Sequence, residues 1–511
     1  MTTEPPAPQR GDSRTDGVPT PADDLSGMAI RGTAVTAGAQ LMRVVLQFGS
    51  VLVLARLLVP EDFGLVAMVT AVIGVAELLR DFGLSAAVVQ AETVSRDERT
   101  NLFWANTALG VGCAVFALAL TPVIVAIYGE PRLQAIVPAL AGVFVLSGLG
   151  SQYRAGLTRD LRFGQVALAD LIAQGIGAGM AIGAASLGAG FWALVLQQIA
   201  VALTTLLVNA VNARWLPGLP VRGVSIRRFI GYGRGFLGTQ LLIYVTTNID
   251  NVVIGAVWGK AVLGLYSRAY QLLMLPLNQI NAPLTRVALP VFSRVQKDKP
   301  TLTRYCLKAQ LVVCYVTMPL LTVAAALSWP AIEVLFGPGW EGAAPIFAIL
   351  ALGGIFRAIS SLAYWMFLAR ALTDELFRLQ LWTRPLMVGL IVAGLPWGAE
   401  GVAVGHLVAY AGYWVVSLIR VGRLTGIPVA PFFITSVRAM LAFTAPAAGA
   451  AWLASQSAET AVLQLALGLI AACFAGGLAW LVVPPVRRDL AVLVKQLRRV
   501  RRRPALARTR R

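Results

Sequence analysis

The chain has 511 residues, of which 57% are hydrophobic and only 13% are charged, and its formal net charge is +19. Soluble globular domains contain about 45–50% apolar and about 25% charged residues. This composition excludes a soluble protein and is typical of a polytopic membrane protein. The four cysteines have no CxxC spacing, and the single histidine, His406, lies in an apolar segment, so the sequence predicts no metal site.

Residues 1–27 are rich in proline, aspartate, threonine and glycine, which predicts a disordered cytoplasmic tail. A membrane span needs about 20 apolar residues, and fourteen such segments follow. They lie near 32–58, 62–80, 101–127, 133–153, 164–187, 190–213, 229–258, 262–285, 306–328, 343–368, 378–396, 399–419, 432–453 and 461–483.

The basic residues alternate with these spans as the positive-inside rule requires. If both termini are cytoplasmic, the outer connections hold only Arg56, Arg132 and Lys260, and the inner loops and tails carry most of the other basic residues. The charges therefore predict fourteen spans with both termini inside. The basic C-terminal tail is predicted to bind anionic lipid rather than nucleic acid.

A shift of 200 residues aligns the first span with the seventh without a gap. Residues 38–65 then face residues 238–265, and the matched glycines and glutamine are unusual residues for a span. The identical pairs are Gly38 and Gly238, Gln40 and Gln240, Leu41 and Leu241, Val53 and Val253, Gly64 and Gly264, and Leu65 and Leu265. Parallel repeats of this kind are typical of transporters whose substrate site lies between the two halves.

The repeat predicts an all-α protein built from two pseudo-symmetric six-helix bundles and two C-terminal helices. The predicted segments are the tail 1–27, the N-terminal lobe 28–213, a basic cytoplasmic linker 214–228, the C-terminal lobe 229–420, transmembrane helices 13 and 14 within 432–483, and a basic cytoplasmic tail 484–511. In the fifth span, Gly175, Gly179 and Gly183 predict close helix packing.

Polar residues follow one face of several spans, at the spacing that brings side chains together on a helix. The first span carries Gln40, Arg43 and Gln47 on such a face, and the eighth carries Asn278 and Asn281. Isolated polar residues in a span often form hydrogen bonds between helices. Whole stripes that contain arginine favour a water-filled cavity instead, because lipid would leave these groups unsatisfied.

Four arginines inside the spans make the predicted cavity cationic. Arginine keeps its charge and binds phosphate through two parallel hydrogen bonds, so the cavity favours an anionic substrate. Candidate substrate-binding residues are Arg43, Arg234, Arg268, Arg357, Gln40, Gln47, Gln240, Asn278 and Asn281. Arg43 is the strongest candidate because it lies in the middle of its stripe, whereas Arg268 and Arg357 lie nearer helix ends, where snorkelling is an alternative.

Asp250 lies in the seventh span, where a carboxylate costs about 2.5–3.5 kcal/mol on insertion scales. Two roles are open for it: it binds a proton or cation and couples transport, or it forms an ion pair with an arginine of the cavity. The favoured role is the ion pair. Asn251 and Asp170 are predicted to take part in the same coupling or ion pairing.

Four segments resemble the oligosaccharidyl-lipid flippases of the multidrug/oligosaccharidyl-lipid/polysaccharide superfamily, above all their colanic-acid-exporter-like branch. They are ARLLVPEDFGLVAM, DFGLSAAVVQ, NIDNVVIG and the stretch from LGLYSRAY to FSRVQ. The resemblance spans about 28–485. It implies a two-lobed fold with alternating access in a bacterial inner membrane. The implied substrate is a polyprenyl-diphosphate-linked glycan, which moves to the outer leaflet for cell-surface polysaccharide synthesis. Polysaccharide-synthesis proteins are possible partners.

Three other classes of protein are alternatives to this interpretation. A multidrug exporter of the same superfamily normally has twelve spans and an acidic cavity, and a peptidoglycan-precursor flippase is hardly separated by sequence. An enzyme is disfavoured, because the longest outer loop, near 329–342, offers only Glu333 and Glu341 as catalytic carboxylates. No phosphate-binding GxxxxGK[ST] loop occurs. The chain is therefore predicted to be a transporter without cofactors.

Overall fold

The computed structural model describes the backbone of residues 21–81 and 84–495. Within these ranges, the side chains at 21–37, 39, 78–81, 86, 227–228 and 230–243 are not described. Every regular element in the described part is helical, which confirms the all-α class. Residues 1–20 and 496–511 of the two predicted tails lie outside the described residues.

Seven helices form the first half. They are α1 (Pro21–Leu57), α2 (Pro60–Asp81), α3 (Leu84–Gln90), α4 (Arg96–Tyr128), α5 (Leu133–Arg159), α6 (Phe163–Ser186) and α7 (Trp192–Ala213). The start of α4 shows why the sequence folds this way. The Ser95 hydroxyl accepts a hydrogen bond from the Glu98 backbone N–H at 3.1 Å, and the Glu98 carboxylate accepts one from the Ser95 N–H at 2.9 Å. This capping box satisfies two N–H groups that a helix end leaves without partners.

The second half begins with the 68-residue segment α8 (Arg227–Arg294). It continues through α9 (Lys299–Val312), α10 (Met318–Ala326), α11 (Ser328–Phe336), α12 (Ala343–Ala369), α13 (Thr373–Ala393) and α14 (Gly398–Thr425), and then through α15 (Ala430–Ala439), α16 (Ala445–Ser455) and α17 (Ala461–Val482). Short π-helical turns, Val313–Thr317 and Met440–Thr444, connect α9 to α10 and α15 to α16.

Segment α8 consists of two helices that meet at Gly259. Its φ of 76° and ψ of −175° are accessible to glycine and strained for other residues. The predicted break between the seventh and eighth spans is therefore confirmed. Beyond the break, Pro276, Pro283 and Pro290 each remove a backbone N–H from the helix.

The structure adds helical segments in three regions that are predicted as tails or loops. Helix α1 begins at Pro21, within the predicted disordered tail 1–27, and proline suits the first turn of a helix. Part of the predicted outer loop 329–342 forms α11, whose Ile332 and Phe336 are buried. Residues 484–495 of the predicted C-terminal tail are also helical, and Asp489 there accepts hydrogen bonds from Tyr315 (2.9 Å) and Arg438 (2.5 Å).

The glycine run of α6 does not serve close packing. A Cβ atom added at Gly175, Gly179 or Gly183 would meet nothing within 4 Å. Gly177, on the opposite face, is the residue that packs closely, against Val201 of α7. The three glycines share one helix face, but that face points away from the protein, so the predicted close packing is wrong.

Eleven helical segments of the described chain are long and apolar enough to cross a membrane, which makes this a multi-pass membrane protein. Two of them, Tyr244–Arg294 and Thr373–Thr425, each contain two helices, on either side of Gly259 and of the short turn Leu395–Trp397. Helix α2 has 22 residues but carries acidic residues near both ends and is not among the eleven. The number of fourteen spans stays a prediction.

The two halves meet closely at one end of the bundle, where α2 lies against α8. A Cβ atom added at Gly64 would overlap the carbonyl group of Lys260, and one added at Gly264 would overlap the carbonyl group of Pro60. Gly64 and Gly264, and likewise Pro60 and Lys260, are related by the 200-residue shift. The contact is thus reciprocal, and at both of its sites only a residue without a side chain lets the backbones approach this closely.

Polar contacts reinforce this end, which we call the Lys260 end. The Lys260 ammonium lies 2.7 Å from the Glu130 carboxylate and 3.7 Å from that of Glu61, and its hydrogen bond holds the pKa of Glu130 below the ordinary value. The Trp340 indole of the second half donates to the Ala55 carbonyl of the first half at 2.8 Å. The two halves are therefore joined at the Lys260 end by packing and by hydrogen bonds.

Replacing Gly264 with alanine should destabilise this arrangement. The added methyl group collides with backbone atoms of Pro60, which cannot rotate away, so we expect a loss of about 1–3 kcal/mol, the range for overpacked sites. Thermal unfolding of the purified protein in detergent measures the change. The matched control is Gly179→Ala, which meets open space. Equal melting temperatures for the two variants would contradict the contact.

Candidate functional site

Most of the described polar residues that are predicted to share one cavity lie in three separate places. One group lies among α1, α5 and α6 in the first half, and a second lies inside the second half. The third faces a pocket between the halves. The side chains of Arg234 and Gln240 are not described, so their placement stays a prediction.

In the first half, Asp170 of α6 holds two arginines. Arg154 of α5 binds its carboxylate through two hydrogen bonds of 2.6 and 3.0 Å, and Arg43 of α1 approaches it to 3.5 Å. With Gln40 these residues line a pocket of about 210 Å³, which we call the Asp170 pocket. One carboxylate faces two guanidinium groups, so the cluster keeps a net positive charge. Arg43, the strongest sequence candidate, already has an acidic partner.

Inside the second half, Asp250 is only 2% exposed and its described partner is a tyrosine. The Tyr266 hydroxyl donates to the carboxylate at 2.8 Å, and the Asn251 backbone N–H donates at 2.9 Å. The Tyr266 ring stacks on Tyr270 with 6.2 Å between centroids. Burial of a carboxylate is tolerated when hydrogen bonds satisfy it, as they do here.

Arg357 belongs to the same group of residues, on the other side of the tyrosines. Its guanidinium donates to the Tyr270 hydroxyl at 2.9 Å and lies 5.3 Å from the centre of the Tyr410 ring. His406 packs its ring against Tyr270 and Tyr410. The tyrosines thus lie between Asp250 and Arg357, which is one of the cavity arginines that the sequence offers as its ion-pair partner. This cluster joins α8, α12 and α14 within one half.

Arg268 has a different environment, in a pocket of about 280 Å³ between the halves. Helices α2 and α7 line this interhalf pocket from one side, and both parts of α8 line it from the other. The Arg268 guanidinium lies 4.6 Å from the centre of the Phe63 ring, and its Nε has no hydrogen-bond partner. Among the described side chains no acid pairs with it. Asn251, whose Oδ1 also has no partner, lines the same pocket.

The remaining predicted residues are spread more widely. Gln47 is half-buried on α1, Asn278 is exposed on α8, and Asn281 is half-buried with a carbonyl oxygen that has no partner. None of the three lines the Asp170 pocket or the interhalf pocket. Helical spacing placed each on the correct element but did not show which direction that face takes.

A larger cavity, which sequence reasoning missed, lies within the first half. It has a volume of about 670 Å³ and is enclosed by α2, α5, α6 and α7. We call it the N-half cavity. Its polar lining includes Glu77, Gln174, Gln197, Gln198 and Asn209. The adjacent glutamines of apolar α7 were the available signal, because amide side chains are unusual in a lipid-facing helix.

The three cavities share wall residues. Arg154 lines both the Asp170 pocket and the N-half cavity. Thr70, Gln197 and Gln198 line both the N-half cavity and the interhalf pocket. The polar groups therefore form a continuous series from α1 to the boundary between the halves. Within the described residues, no group of three His, Cys, Asp or Glu side chains is arranged to hold a metal ion.

The helical architecture defines the chain as a multi-pass membrane protein, and its relatives agree. Residues 53–345 match the polysaccharide biosynthesis protein family, to which the chain therefore belongs. This confirms the predicted place among polysaccharide flippases of the multidrug/oligosaccharidyl-lipid/polysaccharide superfamily.

Two curated relatives and one solved structure illustrate the match. The chain is 26% identical over 390 residues to the lipopolysaccharide biosynthesis protein WzxC of Escherichia coli K12, covering 75% of this chain and 78% of that protein. It is 27% identical over 320 residues to the succinoglycan biosynthesis transport protein ExoT of Rhizobium meliloti, covering 62% and 64%. The lipid II flippase MurJ in its inward closed conformation aligns with a TM-score of 0.70 and 13% identity, covering 90% and 100%. At that identity MurJ shows a shared fold alone.

Replacing Asp170 with asparagine should destabilise the first half. The change leaves Arg43 and Arg154 close together without their common carboxylate, and we expect a loss of about 1–3 kcal/mol, as for hydrogen bonds to charged groups. Thermal unfolding in detergent measures it, with Glu459→Gln in an exposed loop as control. Adding Arg154→Gln should recover part of the loss. If Asp170→Asn alone is as stable as Glu459→Gln, the stabilising role of the Asp170 cluster is refuted.

Proposed function

We propose that this chain is a flippase that moves a polyprenyl-diphosphate-linked oligosaccharide from the cytoplasmic to the outer leaflet for cell-surface polysaccharide synthesis. The family and the relatives support a role in polysaccharide synthesis and transport. The charge and position of Arg268 support the diphosphate as the recognised group. The interhalf pocket is the proposed site of that group.

The unpaired charge of Arg268 carries this proposal. A cation within membrane-spanning helices is expensive and is normally paired or functional. The ring of Phe63 offers a cation–π contact, which leaves the hydrogen-bond donors of the guanidinium available. A diphosphate accepts two parallel hydrogen bonds from such a group. Arg43 and Arg357 are weaker candidates than the sequence suggested, because Asp170 and Tyr270 already bind them.

The contacts at the Lys260 end support transport by alternating access. This end is joined by backbone packing and ion pairs, and the interhalf pocket lies between the same two halves. We infer that separation of Gly64 from Lys260 and of Gly264 from Pro60 opens the pocket towards the outer side. The positive-inside rule supports this orientation, with fourteen spans, both termini cytoplasmic, and the basic C-terminal tail against anionic lipid.

Two lipid substrates carry the diphosphate that this pocket is proposed to bind, and the flipping assay below distinguishes them. A peptidoglycan precursor also carries a diphosphate and a polyprenyl chain, so both belong in the assay. A cationic drug does not suit a pocket that contains an unpaired arginine, which disfavours the multidrug exporter. Asp250 of the second half accepts a hydrogen bond from Tyr266 and does not pair with Arg268. Its coupling role stays a prediction.

Arg268→Ala should slow flipping of a polyprenyl-diphosphate oligosaccharide in proteoliposomes. We expect a decrease of about 10- to 100-fold, the equivalent of losing a hydrogen bond to a charged group. Flipping is measured as accessibility of the sugar to an enzyme added outside. The assay is repeated with the peptidoglycan precursor and with a cationic dye.

The control is Arg222→Ala, which removes an exposed cation of the linker and should flip at the wild-type rate. Wild-type flipping by Arg268→Ala would reject Arg268 as the diphosphate ligand. A wild-type protein that transports the dye but neither lipid would reject the flippase itself.

A further inference from the structure

The N-half cavity is the largest cavity described here, and the diphosphate site proposed above does not use it. Its volume of about 670 Å³ lies within the range of ligand pockets, about 300–1,000 Å³. Its described lining residues come from four helices of the first half, and the second half approaches it through Tyr244, whose hydroxyl donates to the Thr70 carbonyl at 2.9 Å. We expect a cavity of this size among closely packed helices to bind a molecule.

The lining of the N-half cavity offers amides and hydroxyl groups. Its amides come from Gln174, Gln197, Gln198 and Asn209, and its hydroxyl groups include that of Thr205. Amides both donate and accept hydrogen bonds, as sugar hydroxyl groups do. A polyprenyl chain would contact the apolar lining residues but leave Gln174, Gln198 and Asn209 without hydrogen bonds, which disfavours the lipid tail as occupant.

The charges of the N-half cavity argue against a phosphate occupant. Its described cation is Arg154, whose guanidinium is already bound twice by Asp170. Among the described lining residues, no other cation faces the cavity. A phosphate would therefore lack an available charged partner there, whereas the amides suit a neutral, hydroxyl-rich molecule.

Asn209 gives independent evidence of a missing partner. Its side chain is fully buried, it lines the N-half cavity, and neither its Oδ1 nor its Nδ2 has a hydrogen-bond partner. Buried polar groups in proteins are almost always satisfied. An occupant that both donates and accepts hydrogen bonds would satisfy Asn209, and a sugar does so.

The N-half cavity is also placed correctly for the glycan of the proposed substrate. It shares Thr70, Gln197 and Gln198 with the interhalf pocket, where Arg268 lies. A molecule with its anionic group at Arg268 therefore has a neighbouring chamber for the part attached to that group. The two spaces differ in chemistry in the same way as the two parts of a saccharide diphosphate.

We propose that the N-half cavity binds the saccharide part of the substrate, while Arg268 binds the diphosphate, so that glycan selectivity is determined inside the first half. This rests on the proposed function for the diphosphate but adds a separate sugar site. The positions that select the glycan are Gln174, Gln197, Gln198 and Asn209.

Binding of short-chain probes tests the proposal with the whole purified protein. The probes are geranyl diphosphate and geranyl diphosphate linked to glucose, galactose or N-acetylglucosamine. Wild type should bind at least one sugar-bearing probe about tenfold more tightly than geranyl diphosphate, as an added hydrogen bond implies. Ala202→Phe, which fills the N-half cavity, and Asn209→Leu should remove this advantage without changing the affinity for geranyl diphosphate.

Leu203→Phe is the matched control, because Leu203 is the exposed neighbour of Ala202 on the same helix. It should bind every probe as wild type does. If Ala202→Phe keeps the sugar advantage, or if wild type has none, the sugar site is rejected.

The proposed function fails in a different way. In that case geranyl diphosphate binds Arg268→Ala as well as it binds wild type. The result for Asn209→Leu counts only if the melting temperature of this variant matches that of Leu203→Phe. Ala202→Phe tests the same proposal without removing a polar group.

Discussion

The reciprocal backbone contact at the Lys260 end is the constraint on which the arrangement of the halves depends. Gly64 lies against the carbonyl of Lys260 and Gly264 against that of Pro60, so each half supplies one glycine and one carbonyl. Because the two sites are equivalent under the internal repeat, neither half can shift without affecting both. The Lys260 ion pairs and the Trp340 hydrogen bond form around this contact and strengthen it.

The distribution of buried charge follows the same division. Two clusters are satisfied within a single half, by the bidentate Arg154–Asp170 pair in the first half and by tyrosines around Asp250 and Arg357 in the second. Such groups can remain in place while the halves move relative to each other. Arg268 is the contrasting case, since it lies at the boundary with its charge unpaired by any described acid. Charges that hold the fold are thus separated from the charge proposed to bind substrate.

Sequence reasoning succeeded where the information was local or repeated. The break at Gly259, the helical class and the equivalence of Gly64 and Gly264 all follow from composition and register. It failed where the answer depends on neighbours in space. The partner of Asp250 is Tyr266, on the other side of the Gly259 break, and the direction of the Gly175 face depends on how α6 packs. The N-half cavity was missed because its lining residues come from four helices, each of which contributes only a few polar groups.

The three prolines of α8 lie at positions 276, 283 and 290, so consecutive ones are two helical turns apart and lie on nearly the same side of the helix. Each opens the hydrogen-bond ladder on that side, and the three bends therefore add in one plane rather than cancel. We expect this part of the helix to bend in that plane without the loss of further backbone hydrogen bonds. Since Arg268 and Gly264 lie on this helix before this part begins, a change of curvature moves its far end while the residues at the interhalf pocket keep their spacing.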